Sequence, residues 1–258
     1  MTAQGPGPPG VSRRLVVLSG LGLTALAGTG AILSMLRSES HPMSPFLRQR
    51  LRPSQVLDLG PWKINLPTGN KQVTQPELGT FADDAFRVVS AAQFTVSCGD
   101  SPQPGSDYPR SELREMNRDG GTASWSTTSG DHLLRLTERV THLPVVKPQL
   151  ICAQIHTETD YLVLVELNGR RLYVRNRDKV AAVLDTRYEL GTFFDLELHA
   201  AGGFVDVRYN GVSKARFEVR KDTCYFKAGC YLQSSTSTGD LPTAYGQVEI
   251  SELVVRHR

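Results

Sequence analysis

The sequence predicts an all-β fold, an antiparallel β-sandwich of jelly-roll type. Three observations carry that expectation. From Leu57 onward the apolar residues alternate with polar ones at a period of two, the repeat of a strand with one buried face. Asn168-Gly169 and Asn210-Gly211 sit between β-rich runs, and Asn-Gly is a strong two-residue hairpin signal. No amphipathic helical stretch of useful length interrupts the strands. Strands every ten or so residues, each with one apolar face, need a second sheet to cover that face.

Taken in order, the chain opens with a segment that reads as a targeting signal. Residues 1–36 begin with a Pro/Gly-rich leader, continue through Ser12-Arg13-Arg14, and end in an apolar, Gly-rich run. Paired arginines ahead of a weakly hydrophobic run are the pattern of twin-arginine export. The alternative is an uncleaved membrane anchor, since Leu15 to Leu36 is long enough to span; Ala25 to Ala27 offers a small-residue cleavage site. Residues 37–53 read as a linker and 54–258 as one folded domain. The folded part is therefore expected outside the cytoplasm, with no stable membrane contact once the signal is removed. Within it, "WKINLPTG" from Trp62 is an early strand, and "HLLRLTERV" from His132 is a longer one. "YLVLVELNGRRLYVRNR" from Tyr161 is a hairpin, and "FFDLELHAAGGFVDVRYNGVSKARFEV" from Phe193 holds two more turns, at Gly202-Gly203 and Asn210-Gly211. "GQVEISELVV" from Gly246 closes the set.

The net charge of +3 is misleading. Six arginines among residues 1–52 against the lone Glu39 give +5 there, leaving −2 for the remainder. No basic patch argues for nucleic acid as a partner, so affinity for an acidic ligand has to come from a local cluster. The four cysteines, Cys98, Cys152, Cys224 and Cys230, fit an oxidising compartment but lack the paired spacing of a zinc site. An extended strand would set the Cα atoms of Cys224 and Cys230 about 20 Å apart, too far for a disulfide. Only a sharp bend at Ala228-Gly229 would let them pair, and that possibility stays open.

Three strands carry unusual polar faces. In "RSELRE", Arg110, Glu112 and Arg114 share one face, opposite Ser111, Leu113 and Glu115. In "ICAQIH", Gln154 and His156 share a face, with Ile155 opposite. In "YFKAGCYLQ", Tyr225, Lys227, Gly229, Tyr231 and Gln233 oppose Phe226, Ala228, Cys230 and Leu232. Each has an ordinary reading: a surface ion-pair ladder, a structural histidine, an edge strand guarded by lysine. None of these explains why all three occur together. If the strands are neighbours, they form a cationic, hydrogen-bonding floor.

These motifs also resemble a known family. "RSELRE", "QIH" and "YFKAGCYLQ", in that order, are similar to the three signature regions of the alginate lyases of polysaccharide lyase family 7, and "WKINLPTG" is similar to the family's first strand. The resemblance runs from Leu57 to Arg258. It implies a jelly roll with a concave substrate groove, an anionic polysaccharide (alginate) as partner, a monomeric enzyme, and no cofactor or metal. The reaction it implies is β-elimination. The C5 proton beside a uronate carboxylate is removed and the C4–O bond breaks, so negative charge builds on the carboxylate and must be met by fixed donors. By resemblance, Arg110, Gln154 and His156 neutralise that carboxylate and Tyr231 is the general acid. For mannuronate Tyr231 could serve as base and acid; for guluronate His156 is the base. Arg114, Lys227 and Gln233 bind neighbouring carboxylates and hydroxyls. Glu112, on the same substrate-binding face, holds the arginines by ion pairing. Ile155 leans the expected substrate toward guluronate-containing blocks. The loop "SCGDSPQPGSD" before "YPRSELRE" departs from the family pattern and is expected to shape the groove's rim.

Other readings are a lyase for another polyuronate such as glucuronan, a non-catalytic carbohydrate-binding jelly roll, and a retaining glycosidase using Asp195 and Glu197. A binding module relies on exposed aromatic platforms, and the chain has only Trp62 and Trp125. A hydrolase would not need the Arg/Gln/His cluster.

Overall fold

The computed structural model describes residues 51–177 and 179–258; the export segment 1–36 and all but the end of the linker lie outside them. Among these residues the chain alternates between two sheets. Strands β1 (Trp62–Asn65), β2 (Gln72–Val73), β3 (Phe86–Val88), β4 (Ala92–Ser97), β5 (Arg110–Glu115), β6 (Asp131–His142) and β7 (Gln149–His156) make the first half. The second half holds β8 (Tyr161–Asn168), β9 (Arg171–Asn176), β10 (Lys179–Asp185), β11 (Phe194–Ala201), β12 (Phe204–Tyr209), β13 (Val212–Glu218), β14 (Tyr225–Leu232) and β15 (Tyr245–His257). Three single 3-10 turns, Pro53–Gln55, Glu77–Gly79 and Thr236–Thr238, are the only helical pieces among the described residues.

One sheet has the order β10-β9-β8-β7-β14-β5-β1-β2 and the other β13-β12-β11-β6-β15-β4-β3. Every strand pairing is antiparallel. The result is the expected jelly-roll sandwich. The hairpin signals fall where they were read: Asn168-Gly169 joins β8 to β9, Gly202-Gly203 joins β11 to β12, and Asn210-Gly211 joins β12 to β13. Asn210 and Gly211 both have positive φ, 49° and 77°, as a tight primed turn demands.

The topology decides what the site can be. Chain crossings bring β5, β14 and β7 side by side although they are far apart in sequence. Their inner faces supply Leu113, Cys152, Ala153, Ile155, Phe226, Ala228, Cys230 and Leu232 to the core, all fully buried. Each large apolar side chain so buried contributes about 1.5–3 kcal/mol. Their outer faces are thereby fixed as polar. All four cysteines are buried free thiols, so the Cys224–Cys230 bridge left open by the sequence does not form; β14 runs extended from Tyr225 and keeps them apart. Both tryptophans are buried, Trp62 at 1% exposure and Trp125 at 8%, so neither offers a platform for a sugar ring. Asp195 and Glu197 lie on β11 in the other sheet, where Asp195 accepts a hydrogen bond from Thr137 Oγ1 at 2.7 Å. They take no part in the β5–β14–β7 face.

Candidate active site

Register aligns the three polar faces. Across β14 and β5 the directly opposed pairs are Lys227–Arg114, Gly229–Glu112 and Tyr231–Arg110. Across β14 and β7 they are Tyr225–His156 and Lys227–Gln154. The parity reading therefore holds between strands as well as along them. Gly229 lies on this face with φ 134°, and a Cβ there would come within 2.7 Å of the Ser111 carbonyl oxygen. No side chain fits between Lys227 and Tyr231. Beside it β14 slips against β7, between Ala228 and Tyr231.

Glu112 is the anchor of the cluster. Its side chain is fully buried and ion-pairs with Lys227 Nζ at 2.6 Å and with Arg110 Nη1 at 3.2 Å. It also accepts a hydrogen bond from Gln154 Nε2. With 0% exposure, this carboxylate supports the polar face from beneath Arg110, Lys227 and Gln154. The pairing expected with both arginines is made instead with Arg110 and Lys227. Burial works to raise its carboxyl pKa, but the two cations and the amide hold it below the ordinary glutamate value. Burial also pulls the Lys227 ammonium down to about 8, aided by Arg110 and Arg114 and opposed by Glu112.

Arg110 and Tyr231 form one unit. The guanidinium carbon lies 3.7 Å from the Tyr231 ring centre, a cation–π contact. Arg110 Nη2 donates to Ser106 Oγ at 2.7 Å, and that oxygen is 3.0 Å from Tyr231 Oη. Arg110 Nε is covered yet has no hydrogen-bond partner among the described residues. Lys227, the other expected companion of a phenolate, is engaged with Glu112.

His156 and Arg114 flank Tyr225. Arg114 sits 4.0 Å over the Tyr225 ring, which stacks on the His156 ring at 5.4 Å between centres. His156 Nδ1 contacts the Thr157 carbonyl oxygen and lies 3.1 Å from Tyr225 Oη. A carbonyl only accepts, so the neutral imidazole carries its proton on Nδ1 and keeps a lone pair on Nε2. Burial, with the nearby Lys227 charge, pushes the His156 pKa below its ordinary value, which favours that neutral form. Arg114 also donates to the Glu115 carbonyl at 3.3 Å and contacts Met116 Sδ at 3.1 Å.

Gln233 continues the pairing beyond β14. Its N–H donates to the Gln149 carbonyl at 3.0 Å, while its side-chain amide donates to its own neighbour, the Leu232 carbonyl, at 2.8 Å. All eight expected residues thus lie on or beside one sheet face. Gln154 and Lys227 form a nearly covered floor, at 2% and 4% exposure.

Sequence reasoning missed several neighbours. Lys63 faces Arg114 across β1 and donates to Gln72 Oε1 at 2.9 Å; the alternation in "WKIN" could have found it. Glu166 is buried on β8 and bonds to Gln149 and Tyr173, with Arg175 at 3.5 Å. That group was hidden by a bulge in β7 between Ile151 and Ala153, which breaks the strand's parity. Ser106 comes from the flagged loop, where no periodicity exists to point at it.

Comparison with known proteins agrees with this architecture. A family model described as alginate lyase matches residues 57–257. Among solved structures, alginate lyase AlgAT5 from polysaccharide lyase family 7 is 45% identical, with 81% of this chain and 99% of that one covered at a TM-score of 0.79. An alginate lyase from Corynebacterium sp. is 39% identical, covering 80% and 98% at 0.77. Alginate lyase PA1167 from Pseudomonas aeruginosa is 26% identical, covering 78% and 100% at 0.71. No curated protein sequence matches. The two-sheet sandwich and these likenesses define an enzyme of the polysaccharide-lyase class. Within it, the chain belongs to the alginate lyases of polysaccharide lyase family 7.

Proposed function

We propose that this enzyme cleaves alginate by β-elimination at the 4-O-glycosidic bond, leaving unsaturated uronate ends, with a preference for guluronate-containing blocks. The observation that supports the reading is that Arg110, Gln154, His156 and Tyr231 stand on one polar face of the neighbouring strands β5, β7 and β14, with the buried Glu112 holding Arg110 and Gln154. Arg110, whose side chain is partly exposed, and Gln154 meet the charge that builds on the uronate carboxylate when C5 loses its proton. His156 contributes a neutral imidazole whose Nε2 lone pair suits a general base. Tyr231 donates its phenolic proton to the leaving oxygen, and the Arg110 guanidinium over its ring stabilises the phenolate. Guluronate presents its C5 proton on the side opposite the leaving group, so it needs two separate groups. A histidine on β7 and a tyrosine on β14 fit that need better than one residue acting twice. Ile155, fully buried on the core side, touches no substrate, so the preference rests on His156. Arg114, Lys227 and Gln233 bind the neighbouring sugars. The leader in residues 1–36 supports export, since a polymeric substrate has to be met outside the cell.

The test mixes purified enzyme with polyguluronate, polymannuronate and glucuronan and follows the ultraviolet absorbance of the unsaturated product. Absorbance should rise fastest with polyguluronate. No rise on any of the three overturns the lyase reading, while a rise on glucuronan alone reassigns the substrate.

A further inference from the structure

Ser106 occupies a position that hydrogen counting makes informative. Its Oγ lies 2.7 Å from Arg110 Nη2, 3.0 Å from the Tyr108 carbonyl oxygen and 3.0 Å from Tyr231 Oη. A guanidinium only donates and a carbonyl only accepts. The single Ser106 hydroxyl hydrogen therefore points to Tyr108, and Arg110 fills one of the oxygen's lone pairs. The remaining lone pair faces Tyr231, so the phenol is the donor in that contact and stands there protonated. The loop holding Ser106 is fixed at several points. Ser101 N–H donates to the Pro67 carbonyl at 3.2 Å, the Gln103 side chain donates to the Leu66 carbonyl at 3.0 Å, and Ser106 N–H donates to the Gln103 carbonyl at 3.0 Å.

We infer that Ser106 is a positioning residue for the proton-donating Tyr231, its hydroxyl parking the phenolic proton at rest and turning to meet the phenolate once that proton has left. This rests on the reading of Tyr231 as the acid. During elimination His156 takes the C5 proton, and the C5–H electron pair becomes the new C4–C5 double bond. The C4–O bond breaks and its oxygen takes the Tyr231 proton. The electron pair left on the phenolate is then met by the Ser106 hydrogen, rotated from Tyr108, and by the Arg110 guanidinium above the ring. Solvent returns the proton to Tyr231 and removes the one on His156. Ser106 keeps its own hydrogen throughout and exchanges no proton with the sugar or the leaving group.

The experiment measures kcat and KM on polyguluronate for Ser106→Ala, for the isosteric pair Ser106→Thr and Ser106→Val, and for Ser106→Ala combined with Tyr231→Phe. A hydrogen bond to a charged acceptor is lost in Ser106→Ala, so kcat should fall by about tenfold to a hundredfold with KM little changed. Threonine should retain most of the rate and valine should lose it. Adding Ser106→Ala to Tyr231→Phe should change nothing further. Wild-type kcat in Ser106→Ala, a loss confined to KM, or equal rates for threonine and valine each overturn the inference. If the alanine variant fails to fold, the threonine and valine pair decides the matter alone. A fully active Tyr231→Phe overturns the parent reading instead, and an inactive Tyr231→Phe beside a fully active Ser106→Ala removes only the serine's role.

Discussion

Two arginine–tyrosine pairs stand on the same two strands, four residues apart on β5 and six apart on β14: Arg110 over Tyr231 and Arg114 over Tyr225. The stacking is nearly the same, with guanidinium carbons 3.7 and 4.0 Å from the ring centres. What differs is where each phenol ends. Tyr225 is mostly buried, its hydroxyl is engaged with His156 Nδ1, and burial raises its pKa above the ordinary tyrosine value despite Arg114. Tyr231 is half-buried, and its hydroxyl meets the Ser106–Arg110 system at the rim. Residue type and partner are shared, so position relative to the histidine and the loop is what separates the two phenols, and on the proposed mechanism only Tyr231 donates a proton.

The sharpest way to break the comparison is to remove each hydroxyl in turn. Tyr231→Phe should lower kcat by about a thousandfold, the scale of losing a general acid, while the melting temperature stays near wild type. Next in size is the anchor that aligns the Arg110 side of the comparison. Glu112→Ala leaves Lys227 buried without its partner and should cost about 3–5 kcal/mol in denaturant unfolding, with activity lost as well.

The same anchor sets an acid limit. Its carboxyl pKa is lower in the fold than the ordinary value of 4.5, so the fold holds fewer protons than the unfolded chain as pH drops. Stability from this group is present above about pH 4.5 and drains away as pH falls through the depressed value. Unfolding curves against pH should show a shallower acid limb in Glu112→Gln than in wild type. On the alkaline side, Lys227 loses its charge near pH 8, so KM for polyguluronate should rise as pH passes about 8, and Lys227→Met should flatten that rise. Stability moves the other way there. The fold binds fewer protons than the unfolded chain between about 8 and 10.5, so this group alone adds stability as pH climbs. Smallest of all, Tyr225→Phe should reduce kcat only a few-fold, the scale of one hydrogen bond of about 1 kcal/mol. An equal loss in both tyrosine variants would erase the distinction between the pairs.

Much of this face was readable from parity. Alternation in "RSELRE" and "YFKAGCYLQ" put Arg110, Glu112, Arg114, Tyr225, Lys227 and Tyr231 on outward positions, because opposed apolar residues had a core to fill. Hairpin turns were equally plain, since Asn-Gly and Gly-Gly supply the positive φ that few residues tolerate. Three features escaped for definable reasons. The β7 bulge changes parity within the strand, so Gln149 and Ile151 share a face with Gln154 despite the odd spacing. Ser106 acts from a loop, where spacing carries no facing information. Glu138 sits among Leu134, Leu136 and Val140 on the inward side of β6, fully buried, and burial pushes its carboxyl up to about 8. Its neighbours' alternation announced that position, but "LTER" looks like ordinary surface charge when read alone.

The four buried thiols give the molecule a built-in reporter of its own opening. Cys152 and Cys230 lie directly beneath the polar floor, and Cys98 and Cys224 are equally covered. Burial raises all four pKa values, so the reactive thiolate is scarce until water enters. A thiol reagent added to the native enzyme should therefore react at the pace at which the sandwich separates. Adding a polyuronate ligand that bridges β5, β14 and β7 should slow the labelling of Cys152 and Cys230. The enzyme's breathing beneath its substrate can then be timed without introducing any probe.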